Sequence, residues 1–206
     1  MFSPDFWQRA MIGLPVILFS LTVHEFFHAY LAYRFGDSTA KDMGRLTFNP
    51  LAHLDLFGTI VMVASGFRFG WAKPVPVNLH NVDNPRKADF WISAAGPLSN
   101  LGLAFIAGML FRIFQTVPMG LPDVIMQILL YAVMINIALA FFNLIPLFPL
   151  DGSHILKSLL PAEYEYRMAQ FDQYAPFILI MLVMFGGIWM IIGPFVRFFM
   201  TVFAGI

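Results

Sequence analysis

Val23-His24-Glu25-Phe26-Phe27-His28-Ala29 sets three ionisable side chains inside an apolar run that extends from about Phe6 to Tyr33. Ionisable groups are costly at membrane depth and are seldom kept there without a task. Their spacing is informative. Imidazoles four residues apart lie on one helix face, so both rings can reach a single point, at the roughly 2.0–2.1 Å of a zinc–nitrogen bond. Glu25 stands one step around the same helix, beside that point.

The rest of the chain agrees with a membrane setting. Of 206 residues, 59% are hydrophobic and 12% charged, which excludes an ordinary water-soluble domain. Twelve basic side chains balance twelve acidic ones, so no electropositive surplus exists to hold a phosphate backbone, and nucleic acid is excluded as a partner. Cysteine is absent. That removes disulfides, thiolate nucleophiles, cysteine zinc clusters and iron–sulfur ligation together, and leaves His and carboxylate as the metal ligands.

A helix crossing the hydrocarbon needs about 20 mostly apolar residues. Four runs are long enough: Phe6 to Tyr33, Phe90 to Phe114, Pro122 to Leu147 and Tyr174 to Phe199. A fifth, Leu54 to Phe69, is short, holds Gly58, Ser65 and Gly66, and suits a re-entrant or interfacial hairpin. The first run lacks a basic start and a small-residue cleavage site, so it reads as part of the mature protein. The expected fold is an all-α polytopic helix bundle of about four spans, one short re-entrant segment and a small extended or β edge region, forming a single domain over 1–206. The edge is Lys73-Pro74-Val75-Pro76-Val77-Asn78, which alternates like a strand although its prolines cannot donate to a ladder. Such an edge can hold an extended peptide.

Two imidazoles do not complete a catalytic zinc site, which takes three protein ligands and one open position. Candidates for the third are His53, His80, His154, Asp55, Asp151, Glu163 and Glu165. Asp151 stands out because Pro146 and Pro149 break the helix ahead of it and Gly152 permits a tight turn after it. The placing of Glu25 suits a general base acting on water at the ion, as in the H-E-x-x-H helix of zinc proteases.

Three segments, His24-Glu25-Phe-Phe-His28, Ala95-Gly96-Pro97-Leu98-Ser99-Asn100 and Asn143-Leu-Ile-Pro146-Leu-Phe-Pro149-Leu-Asp151-Gly152, resemble in that order the three signatures of the site-2 protease family of intramembrane zinc metalloproteases. The connecting stretches Gly44 to Asp55 and Gly70 to Asn78 look like those of compact bacterial members without a PDZ domain. The resemblance implies one zinc ion held by His24, His28 and Asp151, Glu25 as base, and Asn143 steadying substrate or oxyanion, with interhelical hydrogen bonding the alternative for Asn143. Asn100 matches the asparagine of the Gly-Pro-x-x-Asn segment, where substrate contact and interhelical hydrogen bonding are both open, and Pro74, Val75, Pro76 and Val77 are the candidate substrate edge. The implied partners are transmembrane protein substrates and the lipid bilayer; nothing specifies an oligomeric state.

For His24, His28 and Asp151 to share an ion, runs one and three must travel in one direction and run two in the other, which requires Leu54 to Phe69 to make no net crossing. Arg34, Lys41, Arg45, Arg68, Lys73, Arg86, Lys87, Lys157 and Arg167 then share one side, and Arg9, Arg112 and Arg197 the other. The richer side is cytoplasmic by the positive-inside rule. The expected location is a bacterial inner membrane with the zinc site toward the cytoplasm. The rival functions are zinc transport or metal handling, since intramembrane His and Asp also mark ion paths, and a non-catalytic scaffold that binds membrane helices.

Overall fold

A computed structural model of the chain describes residues 4–64, 70–117, 120 and 122–206. Nine α-helices appear among them: α1 (Pro4–Arg34), α2 (Thr39–Asp42), α3 (Leu56–Ala64), α4 (Pro85–Thr116), α5 (Asp123–Asn143), α6 (Asp151–Leu159), α7 (Glu165–Asp172), α8 (Ala175–Met184) and α9 (Gly187–Ala204). Four stretches are long and apolar enough to cross a membrane: Met11–Arg34, Pro85–Thr116, Asp123–Asn143 and Gly187–Ala204. The protein is an all-α, multi-pass membrane bundle.

The last expected run divides in two. Gly186 takes φ +74° between α8 and α9, a left-handed conformation that glycine adopts without cost, and the ten residues of α8 reach only about 15 Å. The span therefore begins at Gly187, not at Tyr174. The third run also stops early. Its helix ends at Asn143, because Pro146 and Pro149 have no N–H with which to continue it.

The described part of the short fifth run makes no crossing. Its nine-residue helix α3 is too short to cross, and an isolated antiparallel bridge joins Leu54 to Ala72. The Lys73 N–H donates to the His53 carbonyl at 2.8 Å. Leu54 and Ala72 thus lie side by side, as a stretch with no net crossing requires; Ser65, Gly66, Arg68 and Phe69 lie outside the described residues. No strand ladder forms among the described residues. Residues 73–78 run without helix or ladder, as prolines at 74 and 76 require.

Helix α4 is central, packed against α1, α5, α6 and α9. Asn84 caps it by accepting from the Lys87 N–H, and Pro85 opens its first turn. Its buried face carries Ala94, Ala95, Gly96, Ala104, Ala107 and Gly108. Without a hydrophobic drive between helices in lipid, small residues let backbones approach and gain packing. Val133 and Ile137 of α5 and Ile188, Ile192 and Val196 of α9 fill the remaining core. Near the far end, Arg112 donates to the carbonyls of Thr201 and Val202 at 3.1 and 2.6 Å, so α9 runs parallel to α4. Exposed Phe177, Met184, Phe185 and Met190 suit contact with lipid.

A Cβ at Gly108 would overlap the backbone of Phe203, whereas one at Gly102 meets nothing within 4 Å. Gly108→Val should therefore cost about 1–3 kcal/mol, seen as a lower thermal unfolding midpoint in detergent micelles, while Gly102→Ala should change stability by no more than about 0.5 kcal/mol.

Candidate metal centre

The late turns of α1 present His24 and His28 inward, and Asp151 begins α6 directly after the proline-broken end of α5. Gly152 serves here by close approach. A Cβ on it would overlap the carbonyls of Leu144 and Ile145, so its hydrogen lets α6 tuck against the end of α5 and turns Asp151 inward. The tight turn expected after Asp151 does not form; Gly152 is already helical.

His24 Nε2 and His28 Nε2 lie 3.0 Å apart. Asp151 Oδ2 is 3.2 Å from the first and Asp151 Oδ1 3.4 Å from the second. These three side chains form one group whose ligand atoms all lie within 4.8 Å of one another. His24, Glu25 and His28 are all buried.

Hydrogen bonding on the outer side of each ring fixes what the inner side offers. His28 Nδ1 contacts the Ile92 carbonyl at 2.7 Å; a carbonyl only accepts, so Nδ1 carries the hydrogen and Nε2 of the neutral ring is bare. For His24 the same result follows along a chain of amides. Asn136 Nδ2 donates to the Ala132 carbonyl at 2.9 Å, which turns Asn136 Oδ1 toward Asn100. Asn100 Nδ2 donates to that oxygen at 2.8 Å and toward the Ser20 carbonyl at 3.4 Å. Asn100 Oδ1 is left to accept from His24 Nδ1 at 2.6 Å, and His24 Nε2 is bare as well.

Two nitrogen lone pairs and a carboxylate thus converge in a buried space. Asp151 Oδ2 takes no hydrogen bond although its atom is buried, so its approach to His24 is not that of an N–H donor to an acceptor. Such a cluster of acceptors is unfavourable alone and favourable around a cation. The opposite wall leaves room for one. A Cβ at Gly96 would overlap His24 Nε2 and His28 Nε2, so only glycine keeps that space open. Two imidazole nitrogens and one carboxylate are ligands that suit zinc, and these residues fit it.

Glu25 points to the connecting strap. Its Oε2 accepts from the Val75 N–H at 2.9 Å. Both ends of the strap are tied down by residues that the sequence reading overlooked as anchors. Buried Arg45 donates to the Lys73 carbonyl at 2.6 Å. Buried Asp37 accepts from the Asn78 N–H at 2.7 Å, from Asn81 Nδ2 at 2.8 Å and from the Thr39 N–H at 3.1 Å. Burial opposes ionisation of Asp37, but these donors outweigh it and hold the carboxyl below its ordinary value of 3.8.

The other candidates for a third ligand lie elsewhere. His53 is buried with Nε2 at 2.9 Å from the Thr47 carbonyl, His154 faces Asp89 at 3.3 Å, Asp55 caps α3 through the Gly58 N–H at 2.7 Å, and His80 and Glu163 are exposed. The Glu165 side chain lies outside those described. Asn143 donates to its own helix, at the Leu139 carbonyl, 3.0 Å away, and Asn100 makes the interhelical bonds given above. The residue missed altogether was Asn136. Its signal was available: a second amide seven residues before Asn143 in an otherwise apolar helix.

Comparison with known proteins agrees with this geometry. Residues 119–186 match the model of peptidase family M50, a stretch that includes Asn136, Asn143 and Asp151. YwhC of Bacillus subtilis (strain 168) is 43% identical over 173 residues, covering 82% of this chain and 77% of the relative. The chain belongs to peptidase family M50, the site-2 proteases. Rip2 of Mycolicibacterium smegmatis is 30% identical over 170 residues, 81% of this chain and 64% of Rip2. MJ0392 of Methanocaldococcus jannaschii is 26% identical over 162 residues, 78% of this chain and 37% of the relative. The words zinc metalloprotease stand in the names of all three. No solved structure matches the chain. This M50 member is a zinc-dependent peptide hydrolase in a multi-pass membrane bundle.

Two outcomes follow from the hydrogen bonds. Asn136→Leu removes the amide that orients Asn100, and zinc affinity should fall about 10–100-fold in a competition assay with a chromophoric chelator. Asp37 has a lowered folded value, so its contribution to holding the strap is complete above the unfolded value of 3.8 and is lost as pH falls through the lower one. The Asn78 amide chemical shift should titrate with a midpoint below 3.8.

Proposed function

We propose that this protein is an intramembrane endopeptidase that hydrolyses peptide bonds in or near transmembrane segments of other proteins, with His24, His28 and Asp151 holding one zinc ion and Glu25 carrying the proton. The observation that carries the reading is the meeting of two bare imidazole nitrogens and a distant carboxylate inside a membrane-crossing bundle, with a buried glutamate, bonded to the Val75 N–H, one residue from the first proposed ligand. Zinc, when bound, supplies polarisation of the scissile carbonyl and makes water a nucleophile near neutral pH.

The remaining steps belong to the chain's own side chains. Glu25 takes a proton from the attacking water and delivers one to the leaving amine as the C–N bond breaks, so no covalent intermediate with the protein is needed. Asn143 keeps one amide hydrogen beyond its bond to Leu139, available to oxygen where charge develops. Asn100 acts through His24, as the orienting partner of the ring, rather than on substrate.

A substrate helix has its carbonyls engaged internally and must unwind before it can be cut, so helix-breaking residues in the target favour cleavage. The strap offers a place for the unwound part. Pro74 and Pro76 have no N–H, and among the described residues the Val77 N–H and the Val75 carbonyl form no hydrogen bond. These groups point to pairing with an extended peptide. The surplus of basic residues beside the zinc ligands supports a site toward the cytoplasmic face of a bacterial inner membrane. We treat 1–206 as one domain serving this site. Zinc transport would call for successive ligand groups across the bilayer, and the described residues contain one such group.

The test compares wild type with Glu25→Gln in liposomes carrying a single-span substrate. Zinc content should be equal, and product formation should fall by about 10²–10⁴-fold. A mutant that cuts at the wild-type rate, or zinc flux that survives the substitution, would overturn the reading.

A further inference from the structure

One helical turn from Glu25 and from Asn143, at Thr22 and Leu139, begins the lining of a cavity of about 140 Å³. We infer that it is a side-chain subsite that selects a leucine- or phenylalanine-sized apolar residue next to the scissile bond. This inference rests on the protease reading above.

Three walls lead to that conclusion. On α1 the cavity is lined by Leu18, Leu21 and Thr22; one further step along the same stripe, at the three- and four-residue spacing that keeps side chains on one face, is Glu25. On α5 it is lined by Ile135 and Leu139, and the next position on that stripe is Asn143. The third wall includes Trp71 and Ala72, three residues short of Val75, whose N–H bonds Glu25. All three walls therefore run, at the same end, into the proposed base, the proposed oxyanion donor and the proposed substrate edge. A peptide lying along the strap with its scissile carbonyl near Glu25 has its neighbouring side chain over the cavity.

Size and chemistry name the occupant. An engineered apolar cavity of about 150 Å³ stays dry and takes benzene, so this one suits a branched aliphatic or phenyl group. Among the described residues no Asp, Glu, Lys or Arg borders it, and a charged side chain would find no partner among them. The hydroxyls of Thr22 and Thr59 are already spent on the Leu18 and Asp55 carbonyls at 2.7 and 2.6 Å, which leaves methyl groups for contact. His53 also borders the space, and its unpartnered Nδ1 accommodates at most one donor.

The experiment begins with purified full-length enzyme and a pool of single-span model proteins in liposomes, with cut sites read by mass spectrometry. One substrate that is cut is then varied through Ala, Leu, Phe and Asp at each residue flanking the scissile bond. In one of the two series Leu and Phe should exceed Ala by at least about 10-fold in kcat/KM, the scale on which an apolar pocket discriminates, and Asp should fall below Ala. Leu139→Phe, which fills the cavity, should remove the preference for Leu over Ala; Leu139→Ala, which enlarges it, should move the optimum from Leu to Phe. Each variant is scored with its zinc content at the wild-type level, and the enlarging variant decides if the filling one loses zinc. Equal cleavage of all four side chains in both series, or a preference that neither variant moves, overturns the subsite while leaving the Glu25-dependent protease intact. A pool from which wild type and Glu25→Gln release the same products overturns the protease reading, and the subsite with it.

Discussion

Two imidazole lone pairs and a carboxylate facing one another in a buried space form the constraint around which this protein is arranged. Left alone, such a group of acceptors repels and is poorly solvated. A divalent cation would reverse the sign of that interaction, and binding it would help to hold the late turns of α1 to the start of α6. The Gly96 gap and the unpartnered Asp151 Oδ2 are both explained by the need to leave room for that charge.

The rings cannot serve unless each is held in one tautomer. For His28 a single backbone carbonyl suffices, because α4 passes directly behind the ring. For His24 the protein uses two amides in series, Asn136 and Asn100, which carry a polarity set by one helical carbonyl across three helices. In hydrocarbon such polar contacts also help to fix helix packing, since an unpaired amide there has no water to turn to. The same bonds thus orient the His24 ring and register α1, α4 and α5.

The strap works on the other side of the site. Arg45 and Asp37 pin its ends, and Glu25 holds its middle. An extended segment without a ladder would otherwise be loosely specified. Here its position relative to the glutamate is defined by buried charged groups that belong to the connection after α1. The neighbouring apolar cavity then continues the line from strap to membrane interior.

Much of this was legible in the amino-acid order. The first three spans, the pairing of His24 with His28 and the standing of Asp151 follow from local rules: run length against bilayer thickness, the four-residue helical repeat, and the inability of proline to continue a helix. The absence of cysteine narrowed the ligand types, and the requirement that Leu54 to Phe69 make no net crossing agrees with the bridge from Leu54 to Ala72. What only the tertiary structure decided depends on distance in space between residues far apart in sequence. That Asn136 rather than Asn143 joins the histidine network, that Gly152 serves close approach and not a turn, that Asp37 and Arg45 anchor the strap, and that the final span starts at Gly187 could not be read from local pattern. An amide or a glycine looks the same in a sequence whatever it faces, and the partner that gives it a role arrives only when the helices pack.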